Sequence, residues 1–287
     1  MKSIYKREMK SYFTSYLGYI FISFILLATG IYSWYINFLN QSPKFEYIIY
    51  NLNFIYLIII PIITMHIIAE ERRQKTDKLL YSLPLKSTQI IIGKFAALVT
   101  LLFIPLIIIS IYPLILSLFG TISLLTCYST IMGFYLLGIC LISIGIFISS
   151  LSDNQFVAAS ITFVIIFIAY LSPTIANGIS TTAFASFAAI GIISIIISIL
   201  FGLFTKKVSF GMIIATILLS IDTLIYIFYP TLLEGAIQKV LNSISLFDYL
   251  YYFVNGIFDI TAIVYYISLT TLFVFFTVQA FEKRRWS

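Results

Sequence analysis

Charge is what this sequence has least of. Asp, Glu, Lys and Arg together make up 10% of its 287 residues, while apolar residues make up 61%; a soluble globular domain carries roughly 25% charge. A chain of this size folded in water would expose far more apolar surface than it could bury. A soluble fold is therefore excluded, and lipid is the solvent. There is a single histidine, and there are two cysteines. No His/Cys/Asp group has metal-ligand spacing, and the lone His66 reads as a packed or interfacial side chain rather than a ligand or base. Cys127 and Cys140 fall on or beside one helix about 20 Å apart at helical rise, too far to bridge. No G-x-S-x-G elbow accompanies the many serines. The only Gly-Lys pair, Gly93-Lys94, is followed by Phe95 and lacks the upstream glycine of a phosphate-binding loop. These absences argue against an enzyme and leave no cofactor for this chain to bind.

Long apolar runs are what is present. A crossing helix needs about 20 such residues, and eight stretches qualify or nearly so: Leu17–Leu39, Phe54–Ala69, Phe95–Ser117, Tyr128–Ile148, Phe156–Ile175, Ala183–Phe204, Val208–Phe228 and Phe258–Phe281. The second is short, and its helix is expected to extend at one end. The runs lack the alternating polarity of a barrel strand, so helices must satisfy the backbone in lipid. The expected fold is all-α: a polytopic membrane helical bundle of about eight spans forming a single transmembrane domain over residues 1–287.

Charge placement tests that count. With the N-terminus inside and the loops alternating, 15 of the 17 basic residues fall on the cytoplasmic side, and only Lys44 and Lys239 lie outside. This is the asymmetry that the positive-inside rule requires. The pair Lys206-Lys207 makes residues 183–228 a full hairpin, on which the eight-span count rests. Both termini are then cytoplasmic, in the cell membrane. The basic N-terminus resembles a signal peptide only superficially, because its apolar stretch runs too long and no A-x-A site follows.

The segments between spans carry most of the remaining information. Residues 1–16 read as an interfacial amphipathic helix along the inner leaflet, with Tyr5, Met9, Tyr12 and Tyr16 on its apolar stripe and the cations largely off it, toward the headgroups of membrane lipids or a partner protein, an ordinary basic anchor being the plainer alternative. Residues 70–94 form the longest cytoplasmic insert. There Thr76 is expected to cap a short helix whose apolar face is Leu79, Leu80 and Leu83, Pro84 ends it, and Ser87 caps the next. Such a helix beneath the membrane suits docking into a soluble partner; a solvated loop against headgroups is the plainer alternative. In the seventh span, Asp222 is costly in lipid, at least about 2.5–3.5 kcal/mol on insertion scales. It either contacts substrate or makes an interhelix hydrogen bond, or it sits at the outer interface on a shifted span, the reading favoured, with Thr216, Ser220 and Thr223 to satisfy it locally. In the outer segment 229–257, Leu232, Leu233, Ala236, Ile237, Val240, Leu241 and Ile244 recur at helical spacing as a surface helix. Phe247, Tyr249, Tyr251, Tyr252 and Phe253 read as an aromatic interfacial belt.

The stretch from Glu70 to Lys94 resembles the first cytoplasmic loop of ABC-2-type transporter permeases. There an acidic-basic cluster precedes G-T-x-E-x-L-L-x-x-P-[VL]-[ST] and the loop ends in G-K-[FL]. The matching residues are Glu71-Arg72-Arg73, Thr76, Leu79-Leu80, Ser82, Pro84-Leu85 and Gly93-Lys94-Phe95, with departures at Lys75 (where glycine is usual), Lys78 and Lys86. Ser149-Ser150-Leu151-Ser152-Asp153-Asn154-Gln155 is similar to the family's S-S-L-[ST]-x-N-Q turn. Gly256 to Ile260, together with the basic tail Glu282–Trp286, resembles the gliding-motility-associated branch. The resemblance covers residues 1–175 and 246–287. It implies a six-span core, to which 183–228 adds an extra hairpin, and a permease subunit of an exporter.

The resemblance also implies partners: cytoplasmic ATPase subunits that hold the ATP and Mg, and a second permease subunit, the same or related. ATPase coupling would fall to Glu71, Arg72, Arg73, Thr76, Asp77, Leu79, Leu80, Leu83, Pro84, Asp153, Asn154 and Gln155, with apolar anchors inside a groove and Arg72, Arg73 and Asp77 at its rim. Sparse charge along the spans points to an amphipathic cargo, lipid-like or peptide. An ATP-independent carrier or a membrane sensor is the alternative.

Overall fold

The computed structural model describes residues 1–76, 86–205 and 208–285, and among them every regular element is helical. The elements in chain order are α1 (Lys2–Thr14), α2 (Tyr16–Leu39), α3 (Glu46–Arg73), α4 (Ser87–Leu116), α5 (Leu124–Leu151), α6 (Gln155–Gly178), α7 (Ala183–Thr205), α8 (Val208–Phe228), α9 (Pro230–Leu233), α10 (Ala236–Ile244), α11 (Asp248–Val254) and α12 (Ile260–Arg285). They gather into two units, residues 1–168 with 246–287, and residues 169–245.

Six helices are long and apolar enough to cross a membrane: α2 to α6 and α12. A seventh crossing is reached if Met212–Phe228 and Pro230–Ile244, bent by 114°, count as one broken span; Ala183–Ile199 is a shorter apolar helix. The described residues thus give six spans, or up to seven, where sequence length suggested eight. Both arms of the expected hairpin, α7 and α8, are helical and pack on each other.

In the first unit α5 is the centre, packed by α3, α4, α11 and α12. Small residues set that arrangement, because without a hydrophobic drive in lipid, helices associate through close packing. A Cβ on Gly145 would collide with the Thr64 hydroxyl oxygen, and one on Gly138 would lie 2.5 Å from Leu102 Cδ2. Tyr56 stacks on Phe134 at 4.2 Å and donates its hydroxyl to the Phe134 carbonyl at 3.0 Å. α3 contains Pro61 and a π-helical turn at His66–Glu70. Interruptions of this kind are tolerated in lipid when a neighbouring side chain re-satisfies the backbone. Here the Ser149 hydroxyl accepts from the Ala69 amide at 3.1 Å.

Several element-level expectations change. α3 extends beyond the apolar run 54–69 at both ends, where extension at one was expected, because its N-terminal turns are packed: Glu46, Ile48, Ile49 and Leu52 are buried. The buried stripe of α1 is Ile4, Glu8 and Tyr12; Tyr5 and Met9 are only half-buried, and Tyr16, 84% exposed, belongs to α2. Glu8 takes the inward position because a buried cation receives it. The aromatics of residues 247–253 do not form one belt. α11 turns inward against α5, burying Phe247 and Phe253 and leaving Tyr251 and Tyr252 exposed. The Thr130 hydroxyl donates to the Phe253 carbonyl at 3.1 Å.

In the second unit the expected single surface helix is two. α9 and α10 are separated by Glu234 and Gly235, whose φ of +68° is a left-handed turn that glycine adopts without strain. Leu233 and Ile237 are buried, and Gln238 ties α10 down by donating to the Ile179 carbonyl at 2.6 Å.

Candidate functional site

The residues singled out in the loops after α3 and α5 converge at one end of the first unit. α3 and α5 run toward that end, α4 and α6 start from it, and α12 finishes there. α3 closes with a left-handed cap: the Lys75 amide donates to the Arg72 carbonyl and the Thr76 amide to the Glu71 carbonyl, both at 2.9 Å, with Lys75 at φ +57°. This is the double-bonded helix ending that usually places glycine at the left-handed position, and it explains why the family pattern prefers glycine where this chain has Lys75. Thr76 also donates its hydroxyl back to the Glu71 carbonyl at 3.1 Å. The expected short helix with Asp77, Leu79, Leu80, Leu83 and Pro84 lies outside the described residues. α4 starts at Ser87, with Lys86 in the N-cap position and no side-chain cap, so Ser87 is the first helical residue and not the cap expected.

The two arms of this loop are fastened by a ring of four charges. Lys94 Nζ, fully buried, lies 2.7 Å from Glu71 Oε1 and 3.2 Å from Glu8 Oε1, and donates to the Ile67 carbonyl at 2.9 Å. Arg7 closes the ring, 2.6 Å from Glu8 and 2.8 Å from Glu71. A buried charge is tolerable only with partners of this quality. Gly93 makes the ring reachable, since a Cβ there would lie 3.2 Å from Ile4 and from the Met1 carbonyl oxygen. Burial alone would raise the Glu8 carboxyl; Lys94 and Arg7 outweigh it and hold the group below the ordinary glutamate range. Burial opposes the charge on Arg7, yet Glu8 and Glu71 hold its pKa above the usual value. Tyr12 is pushed well up by burial and then by Glu8, Glu71 and Glu70.

A second cluster joins the other loop. Arg72 is buried and donates to the Ser150 carbonyl, and to that of Ser152 at 3.3 Å. Asp153 lies 3.8 Å from Arg72 and pairs with Arg284 of α12, which also donates to the Leu151 carbonyl at 2.9 Å. Asn154 caps α6 with its side-chain oxygen, which accepts from the Phe156 amide at 2.9 Å. Gln155 is buried, whereas Arg73 and Asn154 are exposed. Glu71 and Arg72 are therefore paired inside this chain, Arg72 as a buried side chain. His66 pairs with Glu70 one turn on.

Sequence reasoning missed Arg7, Glu8 and Arg284 and valued Lys94 only as a motif letter. The available signal was Glu8, the one acid in an otherwise basic helix. Asp222 belongs to the second unit and is 3% exposed. Its Oδ2 has no hydrogen-bond partner among the described residues and faces Gly191 across the α7–α8 contact. The neighbours expected to satisfy it do not: Thr216, Ser220 and Thr223 all donate to backbone carbonyls of α8. Among the described residues no group of three His, Cys, Asp or Glu side chains has the geometry to hold a metal ion.

The family described as ABC-2 family transporter protein matches residues 35–183, more than half of the chain. The chain belongs to the ABC-2 transporter family. No curated protein and no solved structure matches it. The matched region of this ABC-2 protein contains α3 to α6, hence the loops after α3 and α5 and the Glu71, Lys94 and Arg72 anchors. The ring is completed by Arg7 and Glu8, and the second cluster by Arg284, all from outside it. The protein is a multi-pass membrane permease of a transporter family whose members associate with ATPase subunits.

Proposed function

We propose that this protein is the permease subunit of an ABC exporter, with both termini and the charged end of the first unit in the cytoplasm. A separate ATPase subunit binds ATP and Mg and docks on residues 76–84, with Asp153, Asn154 and Gln155 beside it, and a second permease subunit, identical or related, completes the assembly. The family match over residues 35–183 carries the reading. The ring of Arg7, Glu8, Glu71 and Lys94 supports it mechanically, because a push on the loop between α3 and α4 meets a stiff joint to α1 instead of being lost in a slack tether. The cargo is amphipathic, lipid-like or peptide, in keeping with spans that carry few charges.

The test is co-purification of the ATPase with a Leu80→Asp variant, together with its turnover. Buried apolar anchors at interface centres typically contribute about 2 kcal/mol or more each, so this variant releases the ATPase or uncouples it, while Lys44→Asp at the opposite end does neither. Retention of the partner with full coupling would refute the docking assignment.

Asp222, buried within an apolar helix with its Oδ2 facing Gly191, favours a second reading, an ATP-independent carrier, since acids inside membrane helices commonly mark ion or substrate paths. Transport into vesicles that persists without ATP and is lost in Asp222→Asn would select it.

A further inference from the structure

We propose that α1 is a recognition helix for anionic phospholipid headgroups, with Lys2, Lys6 and Lys10 as its binding stripe. Three faces of α1 have distinct environments. Ile4, Glu8 and Tyr12 are buried, the helix packs on α4, and the Tyr5 hydroxyl donates to Thr100 at 3.2 Å. Tyr5, Met9 and Phe13 form a half-buried apolar flank. That flank leads into the lipid-facing surface, because the Phe13 ring meets Tyr19 edge-on at 5.7 Å, and Tyr19 and Ile20 on the first turns of α2 are 57% and 60% exposed. Lys2, Lys6 and Lys10 recur every four residues and are all exposed. At 3.6 residues per turn they lie about 60° around the helix from the apolar flank. Their ammonium groups therefore stand where the apolar surface ends, which is the headgroup layer.

Charge complementarity decides the occupant. Glu8 is the only acid in α1, and it is turned inward and neutralised by Lys94 and Arg7. The lipid-side edge is left purely cationic, and among the described residues none of the three lysines is ion-paired, whereas Arg7, farther around, is held by two carboxylates. A juxtamembrane lysine near an anionic leaflet contributes about fivefold in affinity, so three contribute on the order of a hundredfold. Headgroup occupancy loads the helix that the ring joins to Glu71 and Lys94, the two arms of the inner loop.

The experiment uses the full-length protein alone, without ATPase, so its outcome is independent of the exporter reading. Purified protein in phosphatidylcholine vesicles is titrated with spin-labelled phosphatidylglycerol, and the immobilised fraction is read by electron spin resonance. The wild type shows a saturable, salt-sensitive site; Lys6→Gln weakens it about fivefold and the triple Gln variant on the order of a hundredfold. The triple Arg variant retains the site, which separates charge from folding damage. An unchanged preference in the triple Gln variant would overturn the proposal. So would absence of a lipid preference in wild type combined with loss of a soluble partner in the triple variant, which would assign the stripe to an acidic protein surface.

Discussion

Replacing Lys94 with methionine removes a fully buried charge from the ring. The side chain is fully buried, and its ammonium group has three acceptors, Glu71, the Ile67 carbonyl and Glu8, at 2.7, 2.9 and 3.2 Å. Removing one partner of a buried ion pair typically costs about 3–5 kcal/mol, because the other is left uncompensated. Here Arg7 still reaches both carboxylates, but its side chain is 50% exposed and screened, so the lower end, about 3 kcal/mol, is expected. The loss falls on the docking of α1, since the ring is its only set of ion pairs to α3 and α4 among the described residues.

The assay is the rate of tryptic cleavage after Lys10 in the purified protein. Cleavage of a segment that opens and closes rapidly tracks its open population, and about 3 kcal/mol corresponds to a rise on the order of a hundredfold. A triple variant, Lys94→Met with Glu8→Gln and Glu71→Gln, recovers most of the protection, because a neutral buried set can match an ion-paired one. Wild-type cleavage in Lys94→Met would refute the clamp. Equal loss in single and triple variants would show that the lysine stem, not its charge, holds α1.

The depressed Glu8 pKa fixes a sign for pH. Its contribution to α1 docking is complete above the ordinary glutamate value of 4.5 and is lost as pH falls through the lower folded value; pepsin accessibility of α1 should rise in that window, and Glu8→Gln should flatten the profile. Lys75 at φ +57° is strained relative to glycine, so Lys75→Gly should stabilise the α3 ending by about 1 kcal/mol or less while Lys75→Val destabilises it, read as hydrogen exchange of the Thr76 amide. For topology, after replacement of Cys127 and Cys140, single cysteines at Lys44 and Lys239 should react with an impermeant thiol reagent in intact cells, and one at Lys206 should not; labelling at 206 would sink the cytoplasmic placement of that loop.

What the sequence determined by itself follows from the solvent. Apolar runs of crossing length leave the backbone no option in lipid but helix, so α2 to α6 and α12 were legible to within a few residues, apart from the packed early turns of α3. The Glu71-Arg72-Arg73 and Gly93-Lys94-Phe95 letters were legible as a family pattern for the same reason that any local motif is: its residues are neighbours in the chain. The tertiary structure alone decided what those letters do. Glu8 and Lys94 stand 86 positions apart in the chain, and no periodicity announces that one will neutralise the other. The inward turn of Glu8 contradicts the amphipathic pattern of α1, because a carboxylate follows its counter-charge and not the apolar stripe. Arg72 reads as a rim residue of a docking loop and Arg284 as an ordinary tail cation until folding brings Asp153 and the carbonyls of Ser150, Leu151 and Ser152 to them. Asp222 also needed the fold, since whether an acid in an apolar helix meets headgroups or a neighbouring helix depends on how α7 lies against α8. In a membrane, composition dictates that the chain forms helices; which charges survive among them is set by pairings between distant segments, and those exist only once the helices have packed.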